Sequence, residues 1–415
     1  MRALLEASFR AAVDAADPRL IVAPHLPNRP KGRTYVAAAG KAAAAMAAAV
    51  EEHWQGALEG IAITRYAHGA PTQRIRVVEA GHPVPDEAGE KAAGEILGEV
   101  KRLTPDDLLL ALLSGGGSSL LSLPAPDVPM ADLKAVTSQL LKSGATIQEM
   151  NTVRKHLSAI HGGRLAAASR APVLALIISD VTGDDPTHIA SGPCAPDPTT
   201  YEDAREILQR YRVAPPDSVR QRLGHGLDET PKPGDPVLRH VKNEVIATAH
   251  RSLEAAAAVF EKQGVTPVIL GDTITGEAAE VAKVMAALVH EIKKYGKPWK
   301  PPVALISGGE CTVTIKGEGG RGGRCSEFLL SLGIEMGISA RGVWAIAADT
   351  DGIDGSEDNA GAILTPDTMR RGRDARAMLA KHDSYGFFSA LGDLVITGPT
   401  RTNVNDYRAI LIEAA

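Results

Sequence analysis

Short apolar runs alternate with helix-compatible stretches along almost the whole chain, and glycine-rich turns repeatedly follow the apolar runs. Runs this short, bounded by turn residues, read as strands buried on both faces. In the first half they fall at 34–38, 58–64, 74–78, 107–113 and 173–179, with helices predicted over 41–54, 86–102, 131–142 and 147–161. This strand–helix rhythm predicts a doubly wound, mostly parallel α/β sheet. A second alternating region places strands at 244–248, 266–270, 303–306, 311–315, 342–347 and 394–397, and helices at 249–262 and 276–294. Between the regions, 224–241 is rich in Gly, Pro and charge and reads as a linker. The expectation is two domains, 1–235 and 236–415, without an internal repeat.

Composition narrows the classes. Aromatic residues are 4% of the chain, so its cores must be built from Ala, Leu, Val and Ile, which suits parallel sheets covered by helices. The net charge of -5 and the lack of a basic stripe argue against nucleic acid and anionic membranes as partners. Cys194, Cys311 and Cys325 have no metal-ligand spacing and read as free thiols of a reducing cytoplasm. Glu6, Asp14 and Asp17 interrupt the N-terminal stretch, so no secretory signal is expected, and Gly40 and Lys41 break the Ala-rich stretch 36–50. A soluble, cytoplasmic protein is expected.

Chemistry concentrates in the turns that follow strands, where open α/β sheets bind ligands. Ser114, Gly115, Gly116, Gly117, Ser118 and Ser119 follow one apolar run. Glycines there let the backbone approach an anion, although a tight corner between strand and helix fits equally well. No Lys-Ser/Thr closes the turn as in a Walker A loop. Gly308, Gly309 and Glu310 repeat the pattern after 303–306. The stretch 317–324 (GEGGRGGR) satisfies G-x-G-x-x-G, the dinucleotide fingerprint. Its preceding strand sits close behind another, which suggests a hairpin, and Arg321 with Arg324 favours a phosphate clamp. The acidic turn 349–355 contains Asp351 and lacks the glycine and glutamate of an EF-hand. Asp180 and Asp184 follow 173–178, where a carboxylate can take a proton from a hydroxyl. Lys41 stands where a strand turns into a helix. Together these are the parts that phosphoryl transfer needs, and no G-x-S-x-G elbow points to a serine hydrolase.

The runs SGGGSSLL (114–121), NTVRKHLSAIHGGRLA (151–166), LIISDVTGDD (176–185) and IASGPCAPDPTT (189–200) resemble the glycerate 2-kinases that carry a MOFRL-type C-terminal domain. So do SGGE (307–310), GGRGGRCSEFLL (319–330), DTDGIDG (349–355) and GDLVITGPTRTNVND (392–406), in order over nearly the whole chain. The resemblance implies transfer of the γ-phosphoryl group of ATP, with Mg²⁺, to the 2-hydroxyl of D-glycerate. It implies a Rossmann-like N-terminal domain, a mixed α/β C-terminal domain, and an active site in the cleft between them. A homodimer is left open. By position, Lys41 and Arg324 are implied to stabilise the transferring group, Asp180 to lie near the acceptor hydroxyl, and Glu310 to be a further active-site acid. The turn 114–119 is implied to line the cleft together with Gly308, Gly309 and Asp351, with Arg154 and Lys155 contacting carboxylate or phosphate. Asp180, Asp184, Glu310 and Asp351 are the candidate metal ligands. The chain departs from the family at Cys325-Ser326, where Asn-Gln is common, and at His161, where Lys is common.

Two other classes compete. An NAD(P)H-dependent hydroxypyruvate reductase would use 317–322 as its cofactor loop, but the acid at the expected spacing, Glu335, falls in a helical stretch. A non-catalytic glycerate-binding protein predicts loss of Lys41, Asp180 or Arg324, and all three are present.

Overall fold

The apolar runs of the first half become strands in the computed structural model, which describes residues 1–226, 228–315 and 319–414. They are β1 (Thr34–Ala39), β2 (Leu58–Arg65), β3 (Ile75–Ala80), β4 (Leu108–Leu113), β5 (Val173–Ile178) and β6 (Val241–Ala247). Their order in the sheet is β3-β2-β1-β4-β5-β6, with β3-β2-β1-β4-β5 parallel throughout. Every residue of β1, β4 and β5 is buried, as a central strand with helices on both faces requires. The small side chains of helix Ala43–His53 fit it against this sheet, where seven of its residues are buried. Asp86 caps helix Glu87–Val100 by accepting from the Gly89 N–H, and Thr146 with Glu149 forms a capping box on helix Ile147–His156. The order runs outward in both directions from β1 and β4. Their carboxyl ends therefore form the topological switch point.

The second sheet is mixed. It contains β7 (Thr266–Gly271), β9 (Val303–Ser307), β11 (Val343–Asp349), β12 (Gly361–Leu364), β13 (Leu394–Val395) and β14 (Asp406–Ile412), in the order β13-β12-β11-β14-β9-β7. Only the β7–β9 pair is parallel among these described strands. A separate two-stranded ribbon pairs β8 (Gly276–Glu277) with β10 (Cys311–Thr312). Helices Ala278–Tyr295 and Arg324–Met336 contribute Val289, Phe328 and Leu332 to a core shared with Val303, Ala345 and Ile410. No described helix is long and apolar enough to cross a membrane.

The chain divides into the units Pro18–Ile246 and Met1–Asp17 with Ala247–Ala415, not at the single cut 235/236 expected from composition. Two packing facts account for the difference. The stretch read as a linker begins inside helix Asp217–His225, and 244–247, expected to open the second sheet, is the end of β6, an edge strand of the first. Helix Arg2–Asp14 buries Leu5, Phe9 and Ala12 with Phe260, Ile306, Ile346 and Tyr407 of the later unit. The Tyr407 hydroxyl reaches Ser8 Oγ at 2.8 Å, fixing that helix on the sheet.

Candidate active site

The switch point of the first sheet brings Lys41 and the turn 114–119 together. Ser114 N–H donates to Ala39 O (3.1 Å), and Lys41 N–H donates to Gly115 O (2.8 Å). Ser114 Oγ accepts from Ala42 N–H at 3.0 Å. Gly40 has φ of +130°, and a Cβ there would stand 2.2 Å from Ser114 Oγ, so glycine is required for the two turns to meet. Gly117 packs against Ala190, where a Cβ would come within 2.5 Å of Ala190 Cβ. Among the described residues the N–H groups of Gly115, Gly116 and Ser118 donate to no protein acceptor. Unengaged backbone N–H groups at such a turn suit an anion. Since Leu113 pairs with Ile177 in register, Asp180 and Asp184, beyond the end of β5, occupy the same carboxyl edge.

A strained turn braces this edge. Ala190, Ser191 and Gly192 have φ of +51°, +57° and +58°, a left-handed run in which the two non-glycine residues each cost about 1–2 kcal/mol. It is held by Gly162 N–H to Ser191 O (3.0 Å) and Gly163 N–H to Gly192 O (2.7 Å). Ser191 Oγ lies 2.8 Å from Ser118 Oγ and donates to Asn151 Oδ1 at 3.1 Å. Arg154 Nη1 donates to the same Asn151 oxygen at 3.1 Å. Strain retained in this way is characteristic of functional sites. His82 joins from the other side, with Nδ1 at 2.7 Å from Ser119 Oγ. Asn151, Ser191 and His82 were absent from the expected site, although the first two lie inside motifs that carried the resemblance.

Arg154 and Lys155 are adjacent but differ in environment. Lys155 is buried with Nζ 3.1 Å from Asp197 Oδ1, and Asp197 also accepts from Thr199 N–H (3.0 Å), Thr199 Oγ1 (2.7 Å) and Thr230 Oγ1 (3.0 Å). Burial would raise the Asp197 carboxyl, but Lys155 and these donors hold it below the usual range. Lys155 is thus committed to an internal ion pair, which removes it from the expected ligand contacts. Arg154 faces no carboxylate among the described residues, and burial pushes its guanidinium down to about 10.

In the second unit the hub is Arg324, the first residue of helix Arg324–Met336. Its Nε binds Asp406 Oδ1 at 2.8 Å, its Nη2 binds Asp349 Oδ2 at 2.7 Å, and its Nη1 lies 2.9 Å from Glu310 Oε1. Asp349 and Asp406 are opposite one another in the β11–β14 register, and both are buried. Burial disfavours the Arg324 charge, but Asp406, Asp349 and Glu310 outweigh it and hold its pKa above the ordinary value. Behind them Arg408, 1% exposed, lies 3.6 Å from Asp406 Oδ2 and donates to Gly308 O and to Ile274 O (3.2 Å). Asp349 and Asp406 are the first and last residues of two quoted motifs, yet the expected site held neither.

Several expectations for this unit change. Gly309 is required by packing, because a Cβ at its φ of +99° would stand 2.4 Å from Ile274 O. Asp351 is buried and accepts from Ile353 N–H (2.9 Å), capping its own turn. The first N–H groups of helix Arg324–Met336, on Cys325 (2.9 Å) and Ser326 (2.8 Å), donate to the buried Asp354 carboxylate. An anion cannot share that helix start, so the expected clamp reduces to Arg324, with Arg321 59% exposed near Asp383. Burial pushes Asp354 up to about 6 against these hydrogen bonds. Ser326, at the family departure, bonds Asp354 through Oγ as well (2.6 Å). Gly317, the start of the dinucleotide pattern, lies outside the described residues. The strand preceding the loop, β10, belongs to the ribbon and not to the six-stranded sheet, which removes the strand–turn–helix context a dinucleotide fingerprint needs.

Residues 4–224 match the model of a domain of unknown function, DUF4147, and residues 303–406 match the MOFRL family. A protein of Agrobacterium vitis, provisionally named hydroxypyruvate reductase, is 53% identical over 99% of this chain and 94% of its own length. The glycerate 2-kinase of Pyrococcus horikoshii is 43% identical over 90% of this chain and 86% of its own length. The crystal structure of glycerate kinase from Thermotoga maritima superposes with a TM-score of 0.89 at 39% identity, covering 99% of this chain and 98% of that one.

Proposed function

The chain belongs to the glycerate 2-kinase family, with a DUF4147 domain followed by a MOFRL domain, and on that premise we propose that it phosphorylates D-glycerate at the 2-hydroxyl with ATP, giving 2-phospho-D-glycerate and ADP. The observation that carries the reading is the switch point of the first sheet, where Lys41 and a glycine turn with unengaged N–H groups meet. Phosphoryl transfer requires mainly positioning and neutralisation of charge, and this edge supplies both.

In the proposed reaction the 2-hydroxyl oxygen of glycerate attacks the γ-phosphorus. The bond from that phosphorus to the β,γ-bridging oxygen breaks, and the hydroxyl proton passes to the Asp180 carboxylate. Lys41 and the N–H groups of Gly115, Gly116 and Ser118 hold phosphate oxygens. Arg324 keeps Nε and Nη2 on Asp406 and Asp349. Its Nη1, fixed by those two ion pairs, would be open to a phosphoryl oxygen when the 55% exposed Glu310 side chain moves away. No group of three or more His, Cys, Asp or Glu among the described residues could cage a metal. Mg²⁺ is commonly held by substrate phosphates and one or two carboxylates, and Asp180 and Asp184 would be those carboxylates here. When bound, the ion neutralises phosphate charge. Cys194, Cys311 and Cys325 are unpaired and buried, which supports a reducing compartment, the cytoplasm.

The test supplies purified protein with D-glycerate and Mg·ATP, and separately with hydroxypyruvate and NADH or NADPH. Glycerate-dependent ADP release, with 2-phosphoglycerate identified by ³¹P NMR, is expected, and Lys41→Ala or Arg324→Ala should abolish it. Nicotinamide oxidation without ADP release would overturn the kinase reading. Full turnover in either variant would overturn the site.

A further inference from the structure

The carbonyls of the turn after β4 decide where its N–H groups point. A trans peptide directs its C=O and its N–H oppositely, so fixing the oxygen of one residue aims the N–H of the next. Ser114 O accepts from Gly117 N–H (3.2 Å), Gly115 O from Lys41 N–H (2.8 Å) and Gly117 O from Leu121 N–H (2.8 Å). Each bond turns the N–H of the following residue, Gly115, Gly116 or Ser118, away from it, and these are the three groups without a protein acceptor among the described residues.

One link in this set is soft. The peptide between Gly116 and Gly117 has no Cβ on either side, and Gly116 has φ of +82°, so its rotation meets little steric resistance. Rotation would withdraw Gly117 N–H from Ser114 O and release the constraint on Gly115 N–H. What opposes it is the hold on Gly116 O. That oxygen accepts from Ser119 N–H and Leu120 N–H, both at 3.3 Å, and at 3.1 Å from Ser119 Oγ, the shortest of the three.

The Ser119 hydroxyl is itself held. His82 Nδ1 lies 2.7 Å from Ser119 Oγ, and His82 follows β3 on the same carboxyl edge of the parallel sheet. A hydroxyl has one proton. With that proton on Gly116 O, both contacts are hydrogen bonds only if His82 donates, which places the ring hydrogen on Nδ1. Ser119 is 8% exposed, so water is poorly placed to replace the donor. The imidazole also lies against the turn, since a Cβ on Gly116 would stand 3.1 Å from His82 Cε1 and 3.4 Å from Nδ1.

We propose that His82 is a positioning residue for nucleotide binding: through Ser119 it locks the Gly116–Gly117 peptide and so holds the turn in the form that receives phosphate. This deepens the kinase reading and rests on it for the phosphate as ligand.

The experiment compares calorimetric binding of Mg·ADP, the KM for ATP and for D-glycerate, and thermal melting. The proteins are wild type, His82→Asn, His82→Gln, His82→Leu, Ser119→Ala and His82→Leu/Ser119→Ala. His82→Leu and His82→Gln should each weaken Mg·ADP and raise the KM for ATP about five- to tenfold, with the KM for D-glycerate within about twofold. Asn carries its amide N–H on Cγ, where Nδ1 stood, and His82→Asn should keep Mg·ADP within about threefold of wild type. Gln carries its amide one bond further out, so the contrast between the two amides reads the Nδ1–H bond and not the bulk of the ring. Ser119→Ala should match His82→Leu, and the double variant should bind within about twofold of either. Wild-type Mg·ADP binding by His82→Gln, additive losses in the double variant, or equal losses for ATP and D-glycerate that track a lowered melting temperature would each overturn the proposal. If Mg·ADP binding follows the expected pattern but D-glycerate elicits no ADP release, the kinase reading fails and the positioning role stands.

Discussion

Removing the ammonium of Lys155 tests the reading that this residue holds the fold and not the ligand. Its Nζ lies 3.1 Å from Asp197 Oδ1, with side-chain exposures of 1% and 0%. At that distance the pair attracts by about 5 kcal/mol with an effective dielectric near 20. Lys155→Met keeps most of the stem's volume and leaves a buried carboxylate. Three donors remain on Asp197, from Thr199 N–H, Thr199 Oγ1 and Thr230 Oγ1, and soften the loss. The expected destabilisation is about 3–5 kcal/mol at neutral pH. In Lys155→Met/Asp197→Asn the orphan charge is gone and an acceptor for Thr199 remains, so the double variant should be more stable than Lys155→Met by at least about 1 kcal/mol.

The pH dependence has a definite sign. In the wild type the Asp197 carboxyl titrates below its unfolded value. Its contribution is present above the unfolded pKa and is lost as pH falls through the folded one. Without Lys155, burial is opposed only by the remaining hydrogen bonds and by His156, so the folded carboxyl should rise from its wild-type position. The deficit of Lys155→Met should therefore be small near pH 4 and grow toward pH 7. Urea unfolding reports on this unit through Trp54 fluorescence once Trp299 and Trp344 are replaced by Phe. A loss below about 1 kcal/mol at pH 7, or a double variant no better than the single one, would refute the internal ion pair.

Two further changes test the turns. Gly117→Ala sets a methyl group 2.5 Å from Ala190 Cβ and should cost about 1–3 kcal/mol along with ADP release, while adding Ala190→Gly should restore both by removing the clash and relaxing a left-handed residue. Thermal melting paired with the kinase assay reads this, and a double variant no better than Gly117→Ala would contradict it. Asp354, pushed up to about 6, takes up a proton in the folded state before it would unfolded, so its stabilisation is present below about pH 4 and is lost as pH rises through 6, by up to about 3 kcal/mol. Asp354→Asn should flatten that slope in unfolding followed by Trp299 and Trp344, and an unchanged slope would exclude Asp354 as its source.

Much of the first sheet was legible because its central strands are buried on both faces and contain no charge, so LLLALL and VLALII announce themselves. The strand β14 was not, although it lies between β11 and β9 in the second sheet. Its run DYRAILI contains Arg408, and a charge inside an apolar run argues against a central strand unless a partner can be foreseen. The partners are Asp406, two residues earlier, and carbonyls of Gly308 and Ile274, distant in sequence. The misplaced boundary has the same origin. Helix Arg2–Asp14 looks merely amphipathic until its partner, the far end of the chain, is known. Local pattern reveals which face is apolar, and the fold decides what covers it.

The glycine turns show the same division at the level of chemistry. After β4, glycines bring Lys41 and Ser114 together and leave N–H groups of 115, 116 and 118 without protein acceptors. After β9, Gly308 N–H donates to Gly271 O (2.9 Å), and Gly309 lets the chain pass Ile274. The two turns look alike in sequence because glycine serves a close approach, and sequence does not say whether the approaching group is a ligand or the protein itself. The difference lies in where the N–H groups point their hydrogen bonds. At the start of helix Arg324–Met336 they end on Asp354, which is why an arginine-rich glycine loop that reads as a phosphate clamp has its backbone donors already engaged. Arg154, by contrast, sits in a helix opened by the Thr146–Glu149 capping box, and only the fold shows that it meets no carboxylate among the described residues.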